Sequence, residues 1–115
     1  MVLRENNREA AIEMGAEGGK GKLVLDKLTN SAVKPSNVTL YAHAKLEPGA
    51  SVGYHVHRGE SEMYYILSGK GLYSDNGTAR EVVAGDVTYT PDGEGHSLEN
   101  AGSSILEFIA FIVRD

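Results

Sequence analysis

The chain has 115 residues, 41% hydrophobic and 23% charged, which excludes a disordered polymer and suffices for one domain with its own core. Its 11 basic and 16 acidic residues give a formal net charge of −5 with no basic run, which excludes nucleic acid and anionic membrane as main partners. Cysteine is absent, so disulfides, thiolate metal sites and cysteine nucleophiles are excluded too. The longest apolar run, 108–113, is too short to span a bilayer, and the charged N-terminus (Arg4, Glu5, Arg8, Glu9, Glu13) lacks a signal-peptide stretch. A soluble cytoplasmic protein is expected.

Along the chain, Asn7 is placed to cap a short helix over 8–14 that Gly15 stops, and Gly18-Gly19-Lys20-Gly21 reads as a flexible connection. These glycines lack the spacing of a phosphate-binding loop. From residue 22 the pattern turns to strands: 22–28, then a loop through Pro35, then 38–46 with strict alternation. Pro48-Gly49 breaks that strand. Strands follow at 54–57 and 62–67 around a turn at 58–61. Asp75-Asn76-Gly77 predicts a tight hairpin between 71–74 and 78–83. Further strands are expected at 86–90, 96–99 and 105–113, giving eight or nine in all. There is no repeat and no linker. A two-sheet sandwich or barrel is the expected architecture.

Three of the 4 histidines stand beside the tightest turn signals. His55 and His57 occupy alternate positions of one predicted strand, so both imidazoles point to the same face, with Cα atoms roughly 6–7 Å apart. Glu62 opens the next strand and can reach the same point, and His96 follows a Pro-Gly turn far along the chain. Such a group could hold a metal ion or act as a metal-free general acid–base site. The residues by themselves leave both open.

The pattern around them is more specific. Gly49, five residues, His55-Val56-His57, four residues, Glu62, six residues, Gly69 resembles the first signature of the cupin superfamily. Gly85, five residues, Pro91-Asp92-Gly93, two residues, His96, three residues, Asn100 resembles the second. Every fixed position of both is matched, as in the small single-domain cupins of the oxalate decarboxylase-like class. The resemblance implies an all-β, jelly-roll β-barrel (a two-sheet sandwich) over 22–115, preceded by an N-terminal extension, 1–21. It implies that His55, His57, Glu62 and His96 bind one divalent ion, which with oxygen and nitrogen ligands would be Mn, Fe, Ni, Co or Zn. Gly49, Gly69, Gly85 and Gly93 then serve positive-φ turns or close packing, Pro91 pre-sets a turn, and Asn100 ties one by hydrogen bonding.

Around that ligand set, Tyr64 shares the parity of Glu62 and is a candidate hydrogen-bond donor in the cavity, or a core tyrosine. His43 is expected outside the ligand set, Glu94 in a solvated loop beside the pocket, and Arg58 at the surface. A cation in an apolar barrel with replaceable waters favours a small carboxylate, such as a dicarboxylate or α-keto acid. The implied function is a small metalloenzyme that oxidises, decarboxylates or isomerises such an acid. The alternative is a non-enzymatic, metal-dependent receptor for a small acid or sugar. No catalytic residue is assigned. The final strand, 105–113, is apolar on both faces, so its outer face needs cover from the N-terminal segment or a second subunit, and a homodimer is expected.

Overall fold

A computed structural model describes residues 1–115. In chain order its strands are β1 (Ala10–Met14), β2 (Lys22–Lys27), β3 (Val38–Leu46), β4 (Ser51–Val56), β5 (Glu60–Ser68), β6 (Lys70–Asp75), β7 (Thr78–Val83), β8 (Val87–Thr90), β9 (Gly95–Asn100) and β10 (Leu106–Arg114). All pairings are antiparallel. One sheet has the order β1-β2-β3-β10-β5-β8 and the other β4-β9-β6-β7. This is the expected jelly-roll sandwich. No α-helix forms, and no helix is long and apolar enough to cross a membrane.

The strands expected from residue 22 onward are present with shifted ends. The hairpin at Asn76-Gly77 has φ of 50° and 98° at its two central residues, the doubly positive pair that a type I′ turn demands. The four glycines singled out, Gly49, Gly69, Gly85 and Gly93, all take positive φ. Gly69 has a second constraint, since a Cβ there would lie 2.8 Å from the Ile105 carbonyl oxygen.

The helix over 8–14 does not form. Residues Ala10–Met14 are instead an edge strand, paired with β2 from Ala10↔Asp26 to Met14↔Lys22. Seven residues are too few for a stable isolated helix, whereas the free edge of β2 offers ready backbone partners. After β1 the chain turns at Gly15 and docks on β4, the edge of the other sheet. The Ser51 N–H donates to the Lys20 carbonyl at 2.8 Å, and the Lys20 N–H donates to Ser51 Oγ at 2.9 Å. Gly19 and Gly53 permit this approach, because a Cβ on either would fall on the backbone of the other segment.

A β-bulge sets the aim of β4. Ser51 and Val52 pair with Glu99 and Leu98, but the next pair is His55↔His96. Gly53 and Tyr54 thus stand opposite the single residue Ser97. The extra residue reverses the alternation, so that Val52 and His55 both face inward while Tyr54 is 51% exposed.

The core fills one end of the sandwich, where Leu46, Ile66, Leu98, Leu106 and Phe108 are fully buried. Asn100 is buried among them and ties three strand ends together. Its Nδ2 donates to the carbonyls of Leu46 at 2.8 Å and Ser104 at 2.9 Å, and its Oδ1 accepts from the Gly102 N–H at 3.0 Å. On the outer face of the larger sheet, Ile109, Phe111 and Val113 of β10 are half-buried beside the exposed Tyr41, Met63 and Tyr65. β1 lies in the sheet beside β2 and does not cover this face.

Replacing Asn100 by alanine strands buried carbonyls, so urea denaturation should show a loss of about 2–3 kcal/mol. Asn100 touches none of the clustered histidines, so metal content should be unchanged.

Candidate metal centre

The far end of the sandwich gathers polar side chains from both sheets. His55 lies on β4, His57 follows that strand, and His96 lies on β9 directly opposite His55. Glu62 comes from β5 of the larger sheet. One donor atom from each of the four lies within 4.8 Å of the others. His57, Glu62 and His96 are buried, at 5%, 4% and 0% exposure, and His55 is half-buried.

Each imidazole is oriented through its outer nitrogen. His55 Nδ1 donates to the Gly53 carbonyl at 2.7 Å. His57 Nδ1 donates to Glu60 Oε1 at 3.0 Å. His96 Nδ1 lies 3.1 Å from the Tyr73 hydroxyl, which is 2.8 Å from Thr90 Oγ1, so a hydrogen-bond chain in which His96 donates to Tyr73 and Tyr73 to Thr90 gives both protons an acceptor. With the Nδ1 positions occupied as donors, the three Nε2 atoms turn lone pairs inward. His96 Nε2 sits 3.1 Å from the Nε2 atoms of both His57 and His55. Glu62 Oε1 lies 2.9 Å from Nε2 of His57 and of His96, and 4.0 Å from that of His55.

Acceptors crowded this closely repel unless a cation stands among them. An ion roughly 2.1 Å from each donor at the corners of an octahedron would separate neighbouring donors by roughly 3.0 Å and opposite ones by roughly 4.2 Å. The four contacts near 3 Å and the one of 4.0 Å match those two separations, and the sixth pair, His55 with His57, lies within 4.8 Å. The donor set therefore fits a divalent ion, with up to two positions left for other oxygens.

Without an ion, a proton must do the same work. The hydrogen bond to Glu62, helped by Glu60 and opposed by burial, pushes His57 up to about 8. Burial lowers His96 against the pull of Glu62. Burial opposes ionisation of Glu62, but hydrogen bonds from the Nε2–H groups that His57 and His96 carry in this ion-free state prevail and hold the carboxyl below its usual range. Tyr64 is raised well above the ordinary phenol value by burial and then by the Glu62 charge, so its hydroxyl keeps its proton. Its ring stacks on His96 at a centroid distance of 5.0 Å and an interplanar angle of 24°.

A cavity of about 370 Å³ opens beside the cluster, between the sheets, and is lined by His55, His57, Glu62 and Tyr64 among others. Tyr64 thus packs as a core aromatic and also faces the cavity. His43 lies on the outer face, where its Nε2 is 3.1 Å from Glu107 Oε1. Glu94 does not line the cavity; its carbonyl accepts from the His57 N–H at 3.0 Å. Arg58 is exposed. Sequence reasoning missed Glu60 and Tyr73, which orient two of the imidazoles. Glu60 was detectable as a carboxylate three residues after His57 in a tight turn, whereas Tyr73 carried no local signal.

Residues 42–112 match the cupin domain family. The chain is 42% identical over 113 residues to the oxalate-binding protein of Thermotoga maritima, covering 98% of this chain and 93% of that one. It is 35% identical over 104 residues to oxalate decarboxylase OxdC of Bacillus subtilis, covering 86% of this chain but only 26% of that protein. The crystal structure of a predicted oxalate decarboxylase from Thermotoga maritima superposes on 100% of both chains, with a TM-score of 0.91 and 42% identity.

The raised His57 implies competition between proton and metal. In the metal-free chain, the stability gained from protonated His57 is complete below about 6.5 and is lost as pH rises through about 8. Near neutral pH, loading a divalent ion should therefore release about one proton per site, and apparent affinity should fall as pH drops below about 8. Calorimetry in buffers of different ionisation enthalpy measures the proton count directly.

Proposed function

The chain belongs to the cupin family, and on that premise we propose that it binds a small carboxylate through a divalent ion held by His55, His57, Glu62 and His96. The observation that carries this reading is the buried convergence of four acceptor atoms within 4.8 Å. The name of the Thermotoga relative, an oxalate-binding protein, supports a small acid as ligand. When bound, the ion supplies positive charge and positions that two oxygens of one acid can share. The chain's own contribution is orientation. Gly53, Glu60 and Tyr73 fix the imidazoles, and the protonated Tyr64 hydroxyl is available to donate to an outer ligand oxygen.

Two readings of the bound acid's fate follow. An enzyme that oxidises, decarboxylates or isomerises it needs a group to move protons. Glu62 is engaged within the cluster and Glu60 by His57, and Tyr64 holds its proton too firmly to serve as a base. Glu13 and Glu17 line the cavity mouth but are exposed. This engagement favours the receptor reading, a protein that holds the acid without turning it over.

The reading includes a homodimer. Apolar side chains of β10 and its neighbours (Ile109, Phe111, Tyr41, Met63 and Tyr65) share one uncovered face, and a second copy of the same face is its natural cover.

Replacing His57 by alanine should abolish stoichiometric metal in the purified protein, as read by elemental analysis. Metal-loaded chain should bind oxalate in calorimetry and bind acetate more weakly, and chelator-stripped chain should bind neither. Equal affinity with and without metal would overturn the proposal, and formation of product from bound acid would transfer it to the enzyme reading. For assembly, light scattering should return twice the 12.3 kDa chain mass, and substituting Phe111 by aspartate should return a monomer.

A further inference from the structure

The cavity is larger than oxalate requires. At about 370 Å³ it falls in the range of roughly 300–1,000 Å³ that holds ligands far bigger than a two-carbon diacid. Its shape follows from a row of residues across the larger sheet. Lys27 pairs with Ala42, Ala42 with Ala110, and Ala110 with Tyr64. The two alanines are buried and small, so the floor between Lys27 and Tyr64 is low. Three strand spacings separate those ends, roughly 14 Å between backbones. Glu62, on the same face of β5 as Tyr64, brings the metal-site cluster to one end, and an extended lysine side chain reaches inward from the other. The remaining span suits a short carbon chain, and Leu25, Leu40 and Ile112 give it apolar walls.

Lys27 is the sole lysine or arginine lining this cavity. It follows Leu23 and Leu25 at the inward-facing position of β2 and is half-buried. Arg8, Lys22 and Lys45 of the same sheet region are ion-paired, whereas Lys27 has no acidic partner. The acidic lining residues are either engaged or remote. Glu60 and Glu62 hold His57, while Glu13 pairs with Leu23 at the opposite end of β2, with Glu17 on the loop just beyond. An anionic tail is thus repelled from the mouth and drawn toward Lys27.

We propose that Lys27 binds the far anionic group of the ligand. The site then selects an acid with a chelating head at the metal, a short apolar middle and a second carboxylate, in preference to oxalate. This rests on the metal-dependent carboxylate reading above, and the test separates the two. The probes are 2-hydroxyglutarate and 2-hydroxyvalerate, which share a chelating head and chain length and differ in the distal carboxylate, with oxalate as the short reference. Calorimetry on manganese-loaded chain should show 2-hydroxyglutarate binding about tenfold tighter than 2-hydroxyvalerate, the effect of one charge-assisted hydrogen bond. Lys27→Met should erase that difference and leave oxalate and 2-hydroxyvalerate unchanged, and Lys27→Arg should retain most of it. Manganese content and thermal midpoint of each variant establish that it is folded and loaded. Undiminished 2-hydroxyglutarate binding by Lys27→Met, or an equal loss for all three acids, overturns the role of Lys27. Failure of all three acids to bind the unaltered loaded chain overturns the carboxylate reading itself.

Discussion

Four lone pairs aimed at one point are the constraint on which this structure turns. Around an ion, His55, His57 and His96 each give the Nδ1 proton to a partner behind the ring, and with Glu62 ionised every atom facing the centre is an acceptor. Water offers two protons and cannot satisfy such a set symmetrically, and a single proton on His57 satisfies only part of it. The arrangement makes electrostatic sense around a positive charge. The partners behind the rings matter as much as the inward atoms, because they fix which nitrogen faces in.

The jelly roll is suited to supplying that convergence. Three imidazoles come from the smaller sheet and the carboxylate from the larger, so the site clamps the two layers together at one end. At the other end, Leu46, Leu98, Leu106 and Phe108 clamp them by packing. Between these ends, the small side chains of Ala42 and Ala110 leave room between the layers for the cavity. The apolar end can hold the fold while the polar end bears the strain of its crowded charges.

Much of this was legible in the chain. Period-two alternation, Asn76-Gly77 and the glycines at turns marked the strands of both sheets, and the His55, His57, Glu62 and His96 spacing marked the cluster. The failures have physical causes. Residues 8–14 carry helix-favouring Ala, Glu and Met between plausible caps, yet so short a segment obeys the partner it finds, and the free edge of β2 makes it a strand. Tyr73 meets His96 only because β6 lies beside β9, a contact between strands far apart in sequence. Lys27 reads as one more charge on a strand until the sheet order sets it across from the cluster.

Gly53 concentrates several of these dependences. Its carbonyl orients His55, its missing side chain admits the loop after β1, and it forms the bulge that reverses the alternation of β4. Regular alternation continued from Val52 would put Tyr54 and Val56 inside and both histidines outside. In evolutionary terms, the centre is written in the length of this segment as well as its letters. A substitution at one of the four removes one donor, whereas loss of one codon at 53 or 54 would invert the histidine pair together, making reading-frame-preserving deletions here an abrupt route by which a lineage could lose the convergent donor set and keep the fold.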